Sequence, residues 1–123
     1  AEAAAYAALS YSREREQFGG PLTDLPTVRA SLSTQVATVR RLLQTALDGT
    51  NADDSVARAA ALSPMLDDAV DVVADAVQSH GGYGYMVEYR VEGLLRDLVS
   101  LRAASGATEA ARWAADALVE AGA

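Results

Sequence analysis

The 123 residues contain no cysteine, no lysine, and only one histidine, one phenylalanine and one tryptophan. Each scarcity removes a class of chemistry. Without cysteine there are no disulfides and no thiolate metal sites, and His80 alone does not build an imidazole metal site, so no metal is expected. Without lysine there is no Schiff-base amine and no P-loop lysine. All ten basic residues are arginine, set against 17 acidic ones for a net charge of −7. No basic tract interrupts the chain, so nucleic acid, whose phosphates this surface repels, is not an expected partner. No apolar run approaches the roughly 18 residues that a membrane span needs, and no basic and apolar leader precedes the first helical segment. A cytoplasmic protein with no membrane partner is expected.

What is present is a helical pattern. Apolar residues make up 50% of the chain and charged ones 22%, the balance of a folded globular domain, and the length suits one domain with a single core. Ala1 to Phe18 is alanine-rich, lacks internal glycine and proline, and stops at Gly19-Gly20-Pro21, which predicts one helix. It starts at full helical character with neither a cap nor an initiator methionine, as a piece of a longer chain would. From Thr27 to Leu47, Val28, Leu32, Val36, Val39, Leu43 and Leu47 form one stripe of a helix, widened by Leu42 and Ala46. Asp48-Gly49-Thr50-Asn51 reads as a turn, with Asp53 or Asp54 capping the next helix. That helix runs towards Ser79 with Leu62, Leu66, Ala69, Val72, Val73, Ala76 and Val77 inward, and Pro64 predicts a kink or break within it. A Gly81-Gly82-Tyr83-Gly84 turn, a helix from about Glu88 to Leu101 and another from about Ala107 to Leu118 complete the chain. Sustained period-two alternation is absent. The fold expected for residues 1–123 is a single all-α domain, an up-and-down helical bundle of four to five helices.

Two segments stand out chemically. Gln78-Ser79-His80-Gly81-Gly82-Tyr83-Gly84-Tyr85 has a plain reading as a glycine helix cap followed by an aromatic plug. Its functional reading is a backbone without Cβ atoms that a ligand can approach, with N–H groups suited to a pyrophosphate. No strand precedes it, so it is not the dinucleotide fingerprint. Arg13 and Arg15 near Gln17-Phe18-Gly19 would, by themselves, be solvated charges at a helix end. Asp67, Asp68, Asp71 and Asp75 fall at helical spacing but read as a solvated acidic stripe rather than a metal face. Trp113 with Ala110, Ala114, Ala117 and Leu118 reads as the packed face of the last helix, and Tyr83 and Tyr85 read as wedges between helices.

Taken together, the two segments resemble the C-terminal helical domain of the acyl-CoA dehydrogenases. In that family, Glu-Arg-x-Gln-Phe-Gly closes the first helix of the domain. Two long helices follow, then Gln-x-His-Gly-Gly-x-Gly-Tyr, then Arg-Asp, then a Glu-Gly-Thr loop. Glu14, Arg15, Gln17, Phe18 and Gly19 match the first element. Gln78, His80, Gly81, Gly82, Gly84 and Tyr85 match the second, and Glu88, Tyr89, Val91 and Glu92 lead into Arg96-Asp97. The resemblance covers essentially the whole chain. It implies a C-terminal FAD-binding and oligomerisation domain of a longer flavoprotein that desaturates acyl-CoA thioesters at the α,β position, as in fatty acid metabolism. It further implies that Arg15 pairs with the FAD pyrophosphate and that Gln17 and Phe18 flank the adenosine. Gln78 and the backbone at Gly81 and Gly82 complete that site. Because the cofactor bridges subunits, the implied assembly is a homo- or hetero-oligomer, with an electron-transfer flavoprotein as a redox partner.

The chain departs from the family pattern where the reaction occurs. Removal of the proton α to the thioester needs a carboxylate base. Aligned on Arg96-Asp97, the Glu-Gly-Thr loop becomes Ser105-Gly106-Ala107, so no catalytic residue is assigned and this loop is expected to be silent. A subunit lacking the base in a mixed oligomer fits this pattern. So does a dehydrogenase whose base lies on another helix, upstream of Ala1. Glu109, one helical turn beyond Ser105, would need a different loop path. A flavin-dependent monooxygenase or oxidase on the same fold needs no such glutamate, and a non-catalytic oligomerisation domain needs no flavin. The acyl group stays open among fatty, branched-chain, aromatic and sterol-derived thioesters.

Overall fold

Proline at position 26 opens the longest helix because its missing N–H is one that a first helical turn leaves unpaired anyway. In the computed structural model, which describes residues 1–51 and 54–122, this helix is α2 (Pro26–Asn51). It follows α1 (Glu2–Glu14), a two-stranded hairpin of β1 (Glu16–Gln17) and β2 (Gly20–Pro21), and a 3₁₀ turn at Leu22–Asp24. Then come α3 (Ser55–Ser79), 3₁₀ turns at Gly81–Tyr85 and Val87–Tyr89, α4 (Val91–Ala104) and α5 (Ala107–Glu120). Among the described residues, five α-helices form the all-α bundle that the sequence predicts.

The first helix ends earlier than expected, at Glu14 rather than Phe18. Arg15 is extended, and Phe18 and Gly19 both take positive φ, at 56° and 89°. A two-residue turn with two positive φ values matches the twist of a hairpin. Glu16 accordingly pairs with Pro21 and Gln17 with Gly20. The second helix is longer than expected. It continues through Asp48-Gly49-Thr50-Asn51, where a turn was predicted. Gln44 Nε2 donates to Asp48 Oδ1 one turn on, at 2.9 Å. A single Gly49 weakens such a helix by only about 1 kcal/mol. Asp54 caps α3, its Oδ1 accepting from the N–H groups of Val56 and Ala57 at 3.0 Å each; Asp53 lies outside the described residues. The helix α3 runs unbroken through Pro64.

The core face of α2 is also rotated from the predicted one. Leu32, Gln35, Val39 and Leu42 are buried, whereas Leu43 and Leu47 are exposed. The predicted stripe averages about 3.8 residues per turn and drifts some 20° per step from a helix of 3.6. The observed spacings of three, four and three average about 3.3 and drift some 27° per step in the opposite sense, which turns the buried face away from Leu43 and Leu47. Gln35 occupies the inner position because Ser79 and Ser31 hydroxyls accept from its Nε2 at 3.1 and 3.3 Å.

At the centre is α3, which packs on α1, α2, α4 and α5. Its Leu66, Val72, Val73, Ala76 and Val77 are buried, as predicted, with Leu62 and Ala69 half-buried. Val73 and Ala76 meet Ala4 and Ala8 of α1 and Leu32 of α2 in the main cluster, with Leu94, Leu95 and Leu98 of α4 against it. The face that α5 buries is made of small residues, Ala107 and Ala114, while Trp113 and Leu118 are about half exposed. This corrects the expectation that Trp113 packs inward: small side chains let the backbone of α5 lie close to α3 and leave no room for an indole. The acidic stripe of α3 is partly paired. Asp67 takes a hydrogen bond from Arg102 Nε at 2.6 Å, and Asp68 lies 2.8 Å from Arg41, tying α3 to α4 and α2.

Candidate functional site

The end of α3 is fixed by its last residues. His80 donates its backbone N–H to the carbonyls of Ala76 and Val77, and its ring Nδ1 lies 2.7 Å from the Ala76 oxygen. A carbonyl only accepts, so Nδ1 carries the proton. The imidazole is buried and stacks on Tyr11 of α1, with ring centroids 4.6 Å apart. Tyr89 meets both rings edge-on at 5.7 Å, and Tyr83 lies 5.5 Å from Tyr89. Burial pushes the Tyr11 phenol above its usual range, with the Arg15 guanidinium acting in the opposite sense.

Against this aromatic group sits a cleft of roughly 220 Å³ between the end of α1 and the glycine turn. Arg15, Gln17, Gln78, Gly81 and Gly82 all line it, together with Leu22, Tyr11 and Tyr83. Two segments far apart in sequence thus meet in one place. Phe18 does not line the cleft; it stands on the hairpin tip, 85% exposed. The Arg15 guanidinium carbon lies 5.5 Å over the Tyr83 ring, and among the described residues no carboxylate is within ion-pair distance of it.

The three glycines of the turn answer to different causes. Gly81 has φ of +57° directly after the helix, a conformation that disfavours a side chain. A Cβ on Gly84 would lie 2.3 Å from the Val77 carbonyl oxygen, so that glycine permits close packing. At Gly82 neither reason applies: its φ is not positive, and a Cβ there would meet nothing within 4 Å. Its open face looks onto the cleft. Tyr83 belongs to the aromatic group, but Tyr85, predicted as a wedge, is 71% exposed. The sequence reading missed Tyr11 and Tyr83 as walls of the cleft; the only signal was Tyr11 one helical turn before Arg15.

Arg96-Asp97 lies elsewhere, beside a separate cleft at the start of α4, where Arg96 is 3.6 Å from Glu92. At the junction of α4 and α5, the Ser105 hydroxyl donates to the Arg102 carbonyl at 2.9 Å and accepts from the Ala107 N–H at 3.2 Å. The hydroxyl closes one helix and opens the next, with Gly106 at φ +69° between them. No histidine activates it, since His80 is bound to Ala76 and stacked on Tyr11. Glu109 is exposed in the first turn of α5. Among the described residues no group of three or more acidic or histidine side chains is placed to hold a metal ion, and no helix is long and apolar enough to cross a membrane.

Fold and cleft define an all-helical domain with an unpaired arginine facing a glycine turn. Residues 1–116 match the family described as acyl-CoA dehydrogenase, C-terminal domain, and the chain belongs to the acyl-CoA dehydrogenase family of oxidoreductases. It is 36% identical over 117 residues to an acyl-CoA dehydrogenase of Bacillus subtilis (strain 168), covering 91% of this chain and 31% of that protein. It is 37% identical over 103 residues to cyclohex-1-ene-1-carbonyl-CoA dehydrogenase of Syntrophus aciditrophicus (strain SB), covering 79% of this chain and 25% of that protein. With the caffeyl-CoA reductase-Etf complex subunit CarC of Acetobacterium woodii it shares 30% identity over 95 residues, 73% of this chain and 25% of that subunit. The chain therefore spans about a third or less of these relatives.

Proposed function

We propose that this chain is the C-terminal FAD-binding and oligomerisation domain of an acyl-CoA dehydrogenase-type flavoprotein, in an assembly that desaturates acyl-CoA thioesters. The carrying observation is the convergence of Arg15, Gln17, Gln78, Gly81 and Gly82 on one cleft. The residues fit the cofactor's adenosine diphosphate end. Arg15 offers planar donors with no competing carboxylate, and Gly82 leaves open space that no fold requirement explains. Phe18, held out from the hairpin tip, offers a ring face to an adenine contributed with the rest of the flavin by a neighbouring chain. Bound FAD supplies hydride acceptance; the residues here bind and orient it.

The proton acceptor is the part this chain does not offer. With its hydroxyl committed to two helix ends, Ser105 serves as a cap. A base from another chain, or from sequence upstream of Ala1, is the reading consistent with a chain that keeps the cleft residues but commits its Ser105 hydroxyl to capping, and a mixed oligomer accounts for both. The relatives are named dehydrogenases and reductases of acyl-CoA thioesters, which does not favour the monooxygenase, oxidase or scaffold alternatives. By analogy with the Etf complex named for CarC, an electron-transfer flavoprotein is the proposed redox partner.

Purification of the natural assembly from its own cells tests this reading. FAD that bleaches when acyl-CoA is added without oxygen, together with a homologous partner chain bearing the glutamate, is the expected outcome. A preparation without flavin, or flavin indifferent to acyl-CoA, would overturn it.

A further inference from the structure

The backbone of Arg15 is fixed on both sides. Its N–H donates to the Tyr11 carbonyl and its carbonyl accepts from Leu22, each at 2.8 Å. The side chain beyond has several rotatable bonds and no carboxylate partner among the described residues to orient it. Ordering such a chain costs entropy on binding, so an arginine that is already oriented binds an anion better than one that is not. The contact that orients it is the face of Tyr83, at 5.5 Å, inside the roughly 6 Å range of a cation–π attraction.

We propose that Tyr83 is a positioning residue for the cleft: its ring holds the Arg15 guanidinium ready for a pyrophosphate. The inference rests on the FAD reading given above and deepens it. Tyr83 is itself braced. Its ring contacts Tyr89 at 5.5 Å and Tyr11 at 6.4 Å, and Tyr11 stacks on the imidazole that the Ala76 carbonyl fixes. A continuous line of contacts therefore runs from the backbone of α3 to the guanidinium. The chemistry of the partner matters as much as its rigidity. A carboxylate would occupy the N–H donors of Arg15 and cancel its charge, and the ligand would have to displace it. An aromatic face attracts the cation through the ring quadrupole and accepts none of its N–H groups in the plane, leaving them for phosphate oxygens.

The test is a double-mutant cycle on the natural full-length protein, purified with any partner subunits, stripped of flavin and titrated with FAD by flavin fluorescence. Arg15→Met is expected to weaken FAD binding about tenfold, as loss of a charge-assisted contact does. Tyr83→Leu is expected to weaken it about fivefold, and Tyr83→Phe, which keeps the ring, to stay within twofold of the parent. The deciding comparison is Tyr83→Leu in the Arg15→Met background, where the further loss should fall within twofold, because a residue that acts through Arg15 has nothing left to act on. An equal fivefold loss in both backgrounds would assign Tyr83 to the fold alone and overturn the proposal, as would an unchanged affinity in Tyr83→Leu. Should Arg15→Met itself leave FAD affinity unchanged, the FAD reading of the cleft fails and the proposal falls with it, an outcome distinct from failure at Tyr83 only. Thermal unfolding checks each variant; if Tyr83→Leu does not fold, Tyr83→Met carries the same comparison.

Discussion

The Cα of Gly84 faces the Val77 carbonyl so closely that an added β-carbon would lie 2.3 Å from its oxygen, and 3.2 Å from the Cβ of His80. Both obstacles belong to the main body of the fold, so neither yields easily. Gly84→Ala is expected to destabilise the protein by roughly 1–3 kcal/mol, the usual cost of overpacking. Gly82→Ala, where a methyl meets nothing, is expected to leave the melting temperature nearly unchanged while weakening FAD binding. Thermal unfolding beside a flavin titration separates the two; equal loss of stability in both variants would remove the distinction drawn between these glycines.

Phe18 pairs a bulky side chain with φ of 56° and almost full exposure. Asparagine tolerates that conformation better, and Asn-Gly is a favoured pair for such a turn. Phe18→Asn should therefore stabilise the domain by a few tenths of a kcal/mol, as propensity substitutions in turns do, while lowering FAD affinity. Gain in one measurement with loss in the other is the outcome that supports a ligand role for the ring; loss of stability would mean that Phe18 serves the hairpin.

The hydrogen bond from Arg102 holds the Asp67 carboxyl below its usual range. A folded-state pKa below the unfolded one contributes stability above the unfolded value, near 4, and that contribution disappears as pH falls through the folded value. Melting temperatures of the parent and Asp67→Asn should therefore differ most at neutral pH and converge below about pH 4. A gap that widens in acid would contradict the assignment.

Ser105→Ala removes a hydroxyl that caps both α4 and α5. Loss of a helix cap costs about 1 kcal/mol. Turnover of the natural assembly, per bound flavin, should be unchanged. A large fall in turnover at full FAD content would return the hydroxyl to the chemistry.

Much of the fold was legible because helix periodicity and stop signals are local. The span of α3, the Asp54 cap and the start of α5 follow from particular residues: an apolar stripe at Leu66, Val72, Val73 and Val77, an acidic side chain before Ser55, and Gly106 before Ala107. The errors arose where tertiary contacts decide. Gln35 replaced Val36 on the inner face because two serines pair with it, and Trp113 turned outward because alanines let α5 approach α3. The hairpin after Glu14 hides from a periodicity reading because its strands are two residues each. The residues that line the cleft stand out in the sequence as two motifs, and their proximity required the fold. The aromatic support was invisible, since Tyr11 joins His80, Tyr83 and Tyr89 only when α1 has docked on the end of α3.

That docking has a consequence for how the protein comes apart. The cleft has one wall from the end of α1 and another from the turn after α3, and among the described residues no hydrogen bond between backbone groups joins the two walls. A dinucleotide lying across them would act as a clasp, adding protection against amide exchange at both ends while leaving the exposed C-terminal turn of α5 as free to fray as before.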